Sequence, residues 1–270
     1  MTARLFAISL IVAASAAAEA PPPRQPTGKW VAEYAESMCV LQREYGTTTS
    51  RLTLAFQPQP MSDHVALYIF DPPAKLKGEY VPVKIGFGPG FPAVDANMAT
   101  FDVRAQKFRY NSTGLARPEL ERAAASEQIS LHADGHLSVA FQVPDLRKAL
   151  SVLDECVADL LVQWGFSREQ QQMLAKLAEP EKPLLSYIKN GDYPDQAIRA
   201  GESGLNGARF NIGLNGRAAN CKVVESSGSS SLDMTICSVT RRFRFRPAID
   251  KAGQPMESLG YFRVRWALGS

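Results

Sequence analysis

The chain has 270 residues, room for one large domain or two ordinary ones and too many for a peptide hormone or a single zinc module. Hydrophobic residues make up 45% and charged residues 21%, a globular balance that excludes global disorder. Thirty Lys and Arg against 27 Asp and Glu leave a net charge of +3. That is too little for a nucleic-acid partner, so any polyanion site must come from local clustering.

The opening stretch, MTARLFAISLIVAASAAAEA, sets Arg4 ahead of an apolar run from Leu5 to Val12 that fades into alanines. This is the shape of a secretory signal, and the small-x-small rule favours cleavage after Ala18, because cutting after Ala20 would leave Pro21 at the new terminus. The strongly apolar part is about half of the ~20 residues that a spanning helix needs. Residues 1–18 are therefore predicted to be a cleaved signal peptide; retained, they would anchor the chain in a membrane. Four cysteines, Cys39, Cys156, Cys221 and Cys237, are an even set in an oxidising compartment and allow three pairings. Their spacing favours Cys39–Cys156 and Cys221–Cys237, one pair per domain. The longer loop gains more, about 4.7 kcal/mol for ~100 residues against about 3 for ~15 in the chain-entropy account. No C-x-x-C knuckle argues for four metal-binding thiolates instead.

Residues 19–29 form a proline-rich leader whose PPPRQP tract, Pro21 to Pro26, is expected to be extended and unfolded. Period-two alternation then marks strands at Leu52-Leu54-Phe56, Val65-Leu67-Ile69, Val81-Val83-Ile85-Phe87 and Leu137-Val139-Phe141. Pro82 inside the third run cannot donate to a ladder, which predicts an edge or bulged position. From Leu146 to Trp164 the apolar residues recur at helical spacing until Gly165 stops them, with Cys156 at the edge of the apolar stripe. Ser167 and Gln170 form a capping box for a short helix that ends before Pro180. Residues 30–177 thus read as an N-terminal α+β domain, a sheet closed by helices, and residues 178–190, with two prolines and a cluster of charges, as a linker. Beyond it come a helix from Tyr193 to Ala200, with Pro194 in its first turn, and a hairpin around Asn215-Gly216. A short helix on Leu232, Ile236 and Val239 follows, with Arg241 and Arg242 at its negative end. The last strand sets Phe262, Val264, Trp266 and Leu268 on one face and Tyr261, Arg263 and Arg265 on the other.

The order helix, strand, strand, helix, strand over residues 191–268, with Tyr193-Pro194, Leu214-Asn215-Gly216, VESSG from Val224, Leu232-Asp233, RFRPAID from Arg244 and the terminal Tyr261–Leu268, resembles the TonB C-terminal domain family. The resemblance implies a small α+β module in the periplasm that pairs a strand edge with a short segment of an outer-membrane receptor, in transport across the outer membrane. An end strand with one apolar face and arginines on the other suits that chemistry, which makes Tyr193, Pro194, Tyr261, Arg263 and Arg265 the candidate partner-binding residues. Charges on an edge strand also serve simply to prevent pairing. Arg241, Arg242, Arg244 and Arg246 form a basic patch that an acidic envelope protein, peptidoglycan or lipid head groups could meet, or a solvated face. The chain departs from the energy-transducing pattern in showing no long proline-rich stalk, and inner-membrane attachment would require the signal to be retained.

Catalytic constellations are weak. His132 and His136 flank the Asp134-Gly135 turn without a placed third ligand, and His64 has no evident partner. Gly86–Gly90 lacks the helix start and Lys-Ser/Thr pair of a phosphate loop, and Gly201-Glu202-Ser203-Gly204 lacks the spacing of a nucleophile elbow. Asn111-Ser112-Thr113 meets the glycosylation pattern only. The expectation is a periplasmic binding protein without catalytic residues, metal or cofactor. The alternative is a ligand-binding or enzymatic N-terminal domain tethered by the C-terminal module.

Overall fold

The computed structural model describes residues 21–47, 50–71, 80–103 and 108–268; the predicted signal peptide lies outside them. Seven strands come first: β1 (Val31–Tyr34), β2 (Cys39–Thr47), β3 (Ser50–Pro58), β4 (His64–Asp71), β5 (Tyr80–Gly86), β6 (Val94–Val103) and β7 (Phe108–Ala116). Helix α1 (Arg117–Ser126), strands β8 (Gln128–Ala133) and β9 (Leu137–Gln142) and helices α2 (Leu146–Gln163) and α3 (Arg168–Met173) complete an N-terminal body. A C-terminal body follows with β10 (Leu174–Lys176), β11 (Glu179–Pro180), α4 (Asp195–Ala200), β12 (Gly204–Ile212), β13 (Ala218–Glu225), α5 (Ser230–Thr240), β14 (Phe245–Arg246), β15 (Ala248–Asp250), β16 (Pro255–Met256) and β17 (Ser258–Trp266). The fold is α+β, as expected, with antiparallel sheets.

Strands β1 to β9 form one sheet in the order β1-β2-β3-β4-β7-β6-β5-β8-β9. Alternation divides its faces: Val65, Leu67 and Ile69 of β4 turn into the core, while Ala66, Tyr68 and Phe70 turn out towards the C-terminal body. The inward residues meet Leu120 and Ala123 of α1 and Leu146, Leu150, Leu153 and Leu161 of α2. Helix α2 crosses β1 and β2 and is fastened there by the Cys39–Cys156 disulfide; Cys221–Cys237 is the second bridge. Pro82 is not on an edge strand, since β5 lies between β6 and β8. It pairs with Asn97 of β6 in the half of β5 beyond the last β8 pair, Lys84↔His132, so no donor is required on the β8 side.

The PPPRQP tract is not an unfolded leader. The Arg24 N–H donates to the Ala140 carbonyl (2.8 Å), the Gln142 N–H to the Arg24 carbonyl (2.9 Å) and the Thr27 N–H to the Glu44 carbonyl (3.0 Å). Prolines bias the segment to an extended backbone with unused hydrogen-bonding groups, and two strands with open sides, β9 and β2, use them. The large sheet is closed on itself through these residues.

In the C-terminal body β12 lies between β13 and β17, and α5 packs across β12 and β13. Phe210, Leu232, Ile236, Phe243, Phe262 and Trp266 supply the core. Gly216 holds the hairpin turn with φ +70°, and a Cβ there would fall 1.9 Å from the Phe245 carbonyl oxygen, so only glycine fits. Residues 178–190, expected as a linker, are built into this body: β11 pairs with β14, and the buried Tyr187 ring packs 5.2 Å from Phe243. The two bodies also touch directly, because Leu259 and Tyr261 of β17 belong to the N-terminal core, where Tyr261 stacks on Trp164 at 5.6 Å.

Candidate functional site

The small sheet has two outer strands, and they differ. Strand β13 pairs with β12 through register shifts at Gly207/Ala208 and Arg209/Asn211, carries Asn220 at φ +52° and exposes Lys222. Bulges, irregular backbone and an exposed lysine all blunt an edge against further pairing. Strand β17 pairs with β12 from Gly204↔Trp266 to Ile212↔Ser258 without a shift. The Tyr261 carbonyl turns away from β12 and accepts from Gln59 Nε2 (3.4 Å). By the period of two, Leu259, Arg263 and Arg265 direct their main-chain groups the same way. Among the described strands β17 has a neighbour on the β12 side only.

The predicted alternation of β17 is present, with Phe262, Val264 and Trp266 in the C-terminal core. Its other face, however, meets the N-terminal body rather than solvent. The buried Tyr261 hydroxyl donates to Glu225, and Arg263 donates from Nε to Glu225 Oε2 (2.9 Å) and from Nη1 to Gln57 Oε1 (3.1 Å) and the Tyr68 hydroxyl (3.0 Å). Burial pushes the Tyr261 hydroxyl pKa up, and the Glu225 carboxylate adds to the rise, so the phenol keeps its proton and donates. Burial works against the Arg263 charge, but Tyr68, Glu225 and Tyr261 outweigh it and raise the guanidinium pKa. Tyr261 and Arg263, two of the predicted partner-binding residues, are therefore engaged within the chain, by Glu225 of β13 and by the N-terminal body through the Tyr261 stack on Trp164 and the Arg263 bonds to Gln57 and Tyr68. Arg265 stands at the exposed end of the strand. Tyr193 lies on the core side of β17, its ring edge-on to Trp266 at 5.7 Å and its hydroxyl donating to the Glu202 carbonyl, while Pro194 caps α4.

The predicted basic patch is dispersed. Phe243 and Phe245, which alternate with the arginines, are buried. Arg242 is bonded to Asp192, Arg246 to Glu179 Oε2 (2.6 Å) and Arg244 Nη1 to the Phe243 carbonyl (2.7 Å), which leaves Arg241 exposed at the end of α5. Burial opposes the Asp192 charge, yet the hydrogen bonds from Arg242 and the Lys189 N–H hold its carboxyl below the usual range.

The outward margin of β17 borders a cleft between the two bodies. One part, about 490 Å³, is floored by the outer face of the large sheet, where Ala55, Ala66, Ala99, Ser112 and Gly114 stand beside Tyr68, and is walled by Leu205, Arg263 and Arg265. A second part, about 430 Å³, runs along Leu259–Tyr261 between Phe210 and Ile212 on one side and the Gln59–His64 turn on the other. His64 lines both, its ring so close over Gly114 that a Cβ there would lie 2.3 Å from Cε1. Burial lowers its pKa, so the ring is neutral near pH 7. Gln57, Gln59, Tyr68, Glu225 and the small floor residues escape the sequence reading; the one signal they leave is that outward positions of β3 and β4 carry alanine where a solvated strand carries longer polar side chains.

The other motifs are structural. His132 bonds Ser138 Oγ (3.2 Å) and Asp134 Oδ1 (2.8 Å), and His136 bonds the Asp134 carbonyl (2.7 Å), so both belong to the turn. Gly88, Gly90 and Gly201 take positive φ at turns and a helix end, and Asn111 is buried, bonded to Thr100 Oγ1. No group of three or more His, Cys, Asp or Glu side chains converges among the described residues.

Compared with known proteins, residues 189–268 match the sequence model of the family described as Gram-negative bacterial TonB protein C-terminal. The matched segment runs from the last 3-10 turn before α4 to the end of β17 and carries the closely fitting resemblance found at residues 191–268. No curated protein and no solved structure matches the chain.

Proposed function

We propose that the protein is a periplasmic TonB-family protein that binds an extended segment of an envelope partner, such as an outer-membrane receptor, by strand addition at the outward margin of β17. The observation that carries this reading is the contrast between the two edges. Strand β17 is unshifted and turns main-chain groups outward at alternate residues, whereas β13 is bulged. Main-chain pairing gives affinity in this mode of recognition, and side-chain pockets give selectivity. The protein acts without catalytic residues or cofactor, and its role belongs to transport across the outer membrane. Peptidoglycan contact through Arg241, Arg242, Arg244 and Arg246 is less favoured, because Asp192 and Glu179 already engage two of the four.

Recognition is better supported than transmission of force. If residues 1–18 were kept as an anchor, the chain would still be pinned to the large sheet at Arg24. The five residues between would then reach about 17 Å at ~3.4 Å per residue, which makes no stalk. The alternative of a ligand-binding N-terminal body draws on the 490 Å³ part of the cleft, but β17 forms the opposite wall, so both readings meet at one place.

The test is Arg265→Pro, which removes a main-chain donor directed away from β12; proline is tolerated on an edge strand in that orientation. Arg265→Ala controls for the side chain. Crosslinked capture of outer-membrane receptors in cells should be lost in the proline variant and kept in the alanine variant. Equal capture by the two would overturn strand addition.

A further inference from the structure

We infer that the N-terminal body is the second half of the partner site: a guest strand on β17 inserts a bulky apolar side chain between β17 and the outer face of the large sheet. This rests on the strand-addition reading and names the kind of segment that fits. The guest is a polypeptide, because the feature that borders the cleft along its length is a strand margin with main-chain donors and acceptors at alternate residues. Leu259 to Arg265 is six steps of ~3.3 Å, about 20 Å, so a segment of about seven residues covers it.

Its side chains meet two receptacles. Those on the side facing the large sheet enter the 490 Å³ part, where Ala55, Ala66, Ala99 and Gly114 end at Cβ or before it and leave the space empty. Such a volume is in the range of ~300–1,000 Å³ typical of small-ligand pockets, more than a short side chain fills. Those on the other side face the 430 Å³ part along Leu259–Tyr261, which is backed by the buried Phe210 and Ile212, the Phe210 ring packing over Gly260 where a Cβ would lie 2.3 Å from Cε2. The Gln59 side chain, bonded to the Tyr261 carbonyl, occupies the position of the first guest donor and must swing away on binding.

The experiment pans a random heptapeptide library displayed on phage against the full exported chain and measures the enriched peptides on four variants. Ala66→Trp fills the floor; should it lose the native near-ultraviolet circular dichroism, Ser112→Leu fills the same floor from β7. Arg265→Pro and Arg265→Ala report on the edge. The expected result is a set of peptides sharing a bulky apolar residue, bound at least tenfold more weakly by the floor variant than by the parent, and at least tenfold more weakly by Arg265→Pro than by Arg265→Ala, which removes the same side chain and keeps the main-chain donor. Peptides that bind the floor variant as they bind the parent, yet are lost with Arg265→Pro, overturn the two-walled site and leave strand addition standing. Peptides lost only with the floor variant overturn strand addition, and with it this inference. Failure to enrich any peptide, or indifference to all variants, overturns both.

Discussion

In the nine-stranded sheet Arg24 and Thr27 bridge the outermost strand β9 to the part of β2 that β1 leaves open, so main-chain groups that would face solvent there pair within the chain; in the three-stranded sheet β13 and β17 each keep a single strand neighbour. Closure removes the hazard of open edges in the larger sheet, but three strands cannot close, so the smaller one must blunt or cover its margins. It does one on each side. Strand β13 is bulged, whereas β17 stays regular and is covered by the Gln59 side chain and the Arg263–Tyr68–Gln57 contacts. Strand addition at this regular edge, as proposed, requires the partner to displace the Gln59 side chain, because Ser258 to Phe262 are buried behind these contacts.

The sharpest way to break the comparison is to unfasten each body. Cys39→Ser with Cys156→Ser opens a separation of 117 residues in the closed sheet, and Cys221→Ser with Cys237→Ser opens one of 16 in the small body. Losses of about 4.7 and about 3 kcal/mol are expected in the chain-entropy account, read from urea unfolding of the two double variants. The reverse order would show that loop length does not set the stabilisation. Next in size is deletion of residues up to Thr27, which removes three main-chain hydrogen bonds worth about 1 kcal/mol each and reopens β9 and β2. Static light scattering should then show self-association of the truncated chain and none of the parent.

What could be read in advance follows from where hydrophobic contrast is strong. The stripe of α2, the capping box at Ser167 and the alternation of β17 were legible because apolar and polar residues separate cleanly there. Strand β7 was not, because its inward positions include Asn111 and Thr113, both buried and bonded to Thr100 Oγ1 and the Asn97 carbonyl, so alternation carries no hydrophobic signal. Helix α1 hides for a related reason: its buried positions are Leu120, Ala123 and Ala124, two of them too small to stand out. The candidate margin at Tyr261, Arg263 and Arg265 was readable from the last strand, but its partners Gln57 and Tyr68 lie about 200 residues away, and pairing at that separation leaves no local pattern.

The smaller effects concern what holds β17 to its own sheet. Fully buried Asn206 donates from Nδ2 to the Leu232 carbonyl (3.0 Å) and Asp233 Oδ1 (3.1 Å) and accepts from Trp266 Nε1 (3.0 Å), joining β12, α5 and β17. Asn206→Ala leaves the buried indole N–H of Trp266 without its acceptor and should cost about 2 kcal/mol, measured by thermal melting.

The smallest and most selective effect is that of acid. Burial opposes the Asp233 charge, but Ser226 Oγ, Ser227 N–H and Oγ, and Asn206 hold its carboxyl below the usual range. An unfolded aspartate titrates near ~3.9, so the folded state binds this proton less readily; the stabilisation is complete above that value and is lost as pH falls through the lower folded value. Asp233→Asn should therefore cost about 1.5 kcal/mol at neutral pH, at the low end for a charged acceptor because the group is partly exposed, and less as pH falls below the unfolded value. Asp192, held low by Arg242, lies in the same body, so acid should loosen the small sheet before the closed one. The indole N–H resonance of Trp266 reports on the first event and that of Trp30, bonded to the Pro144 carbonyl (3.0 Å), on the second. Simultaneous loss of the two signals in the parent would mean that the contacts of Tyr261 and Arg263 make the two bodies one cooperative unit, and a guest strand would then have to compete with the stability of the whole chain.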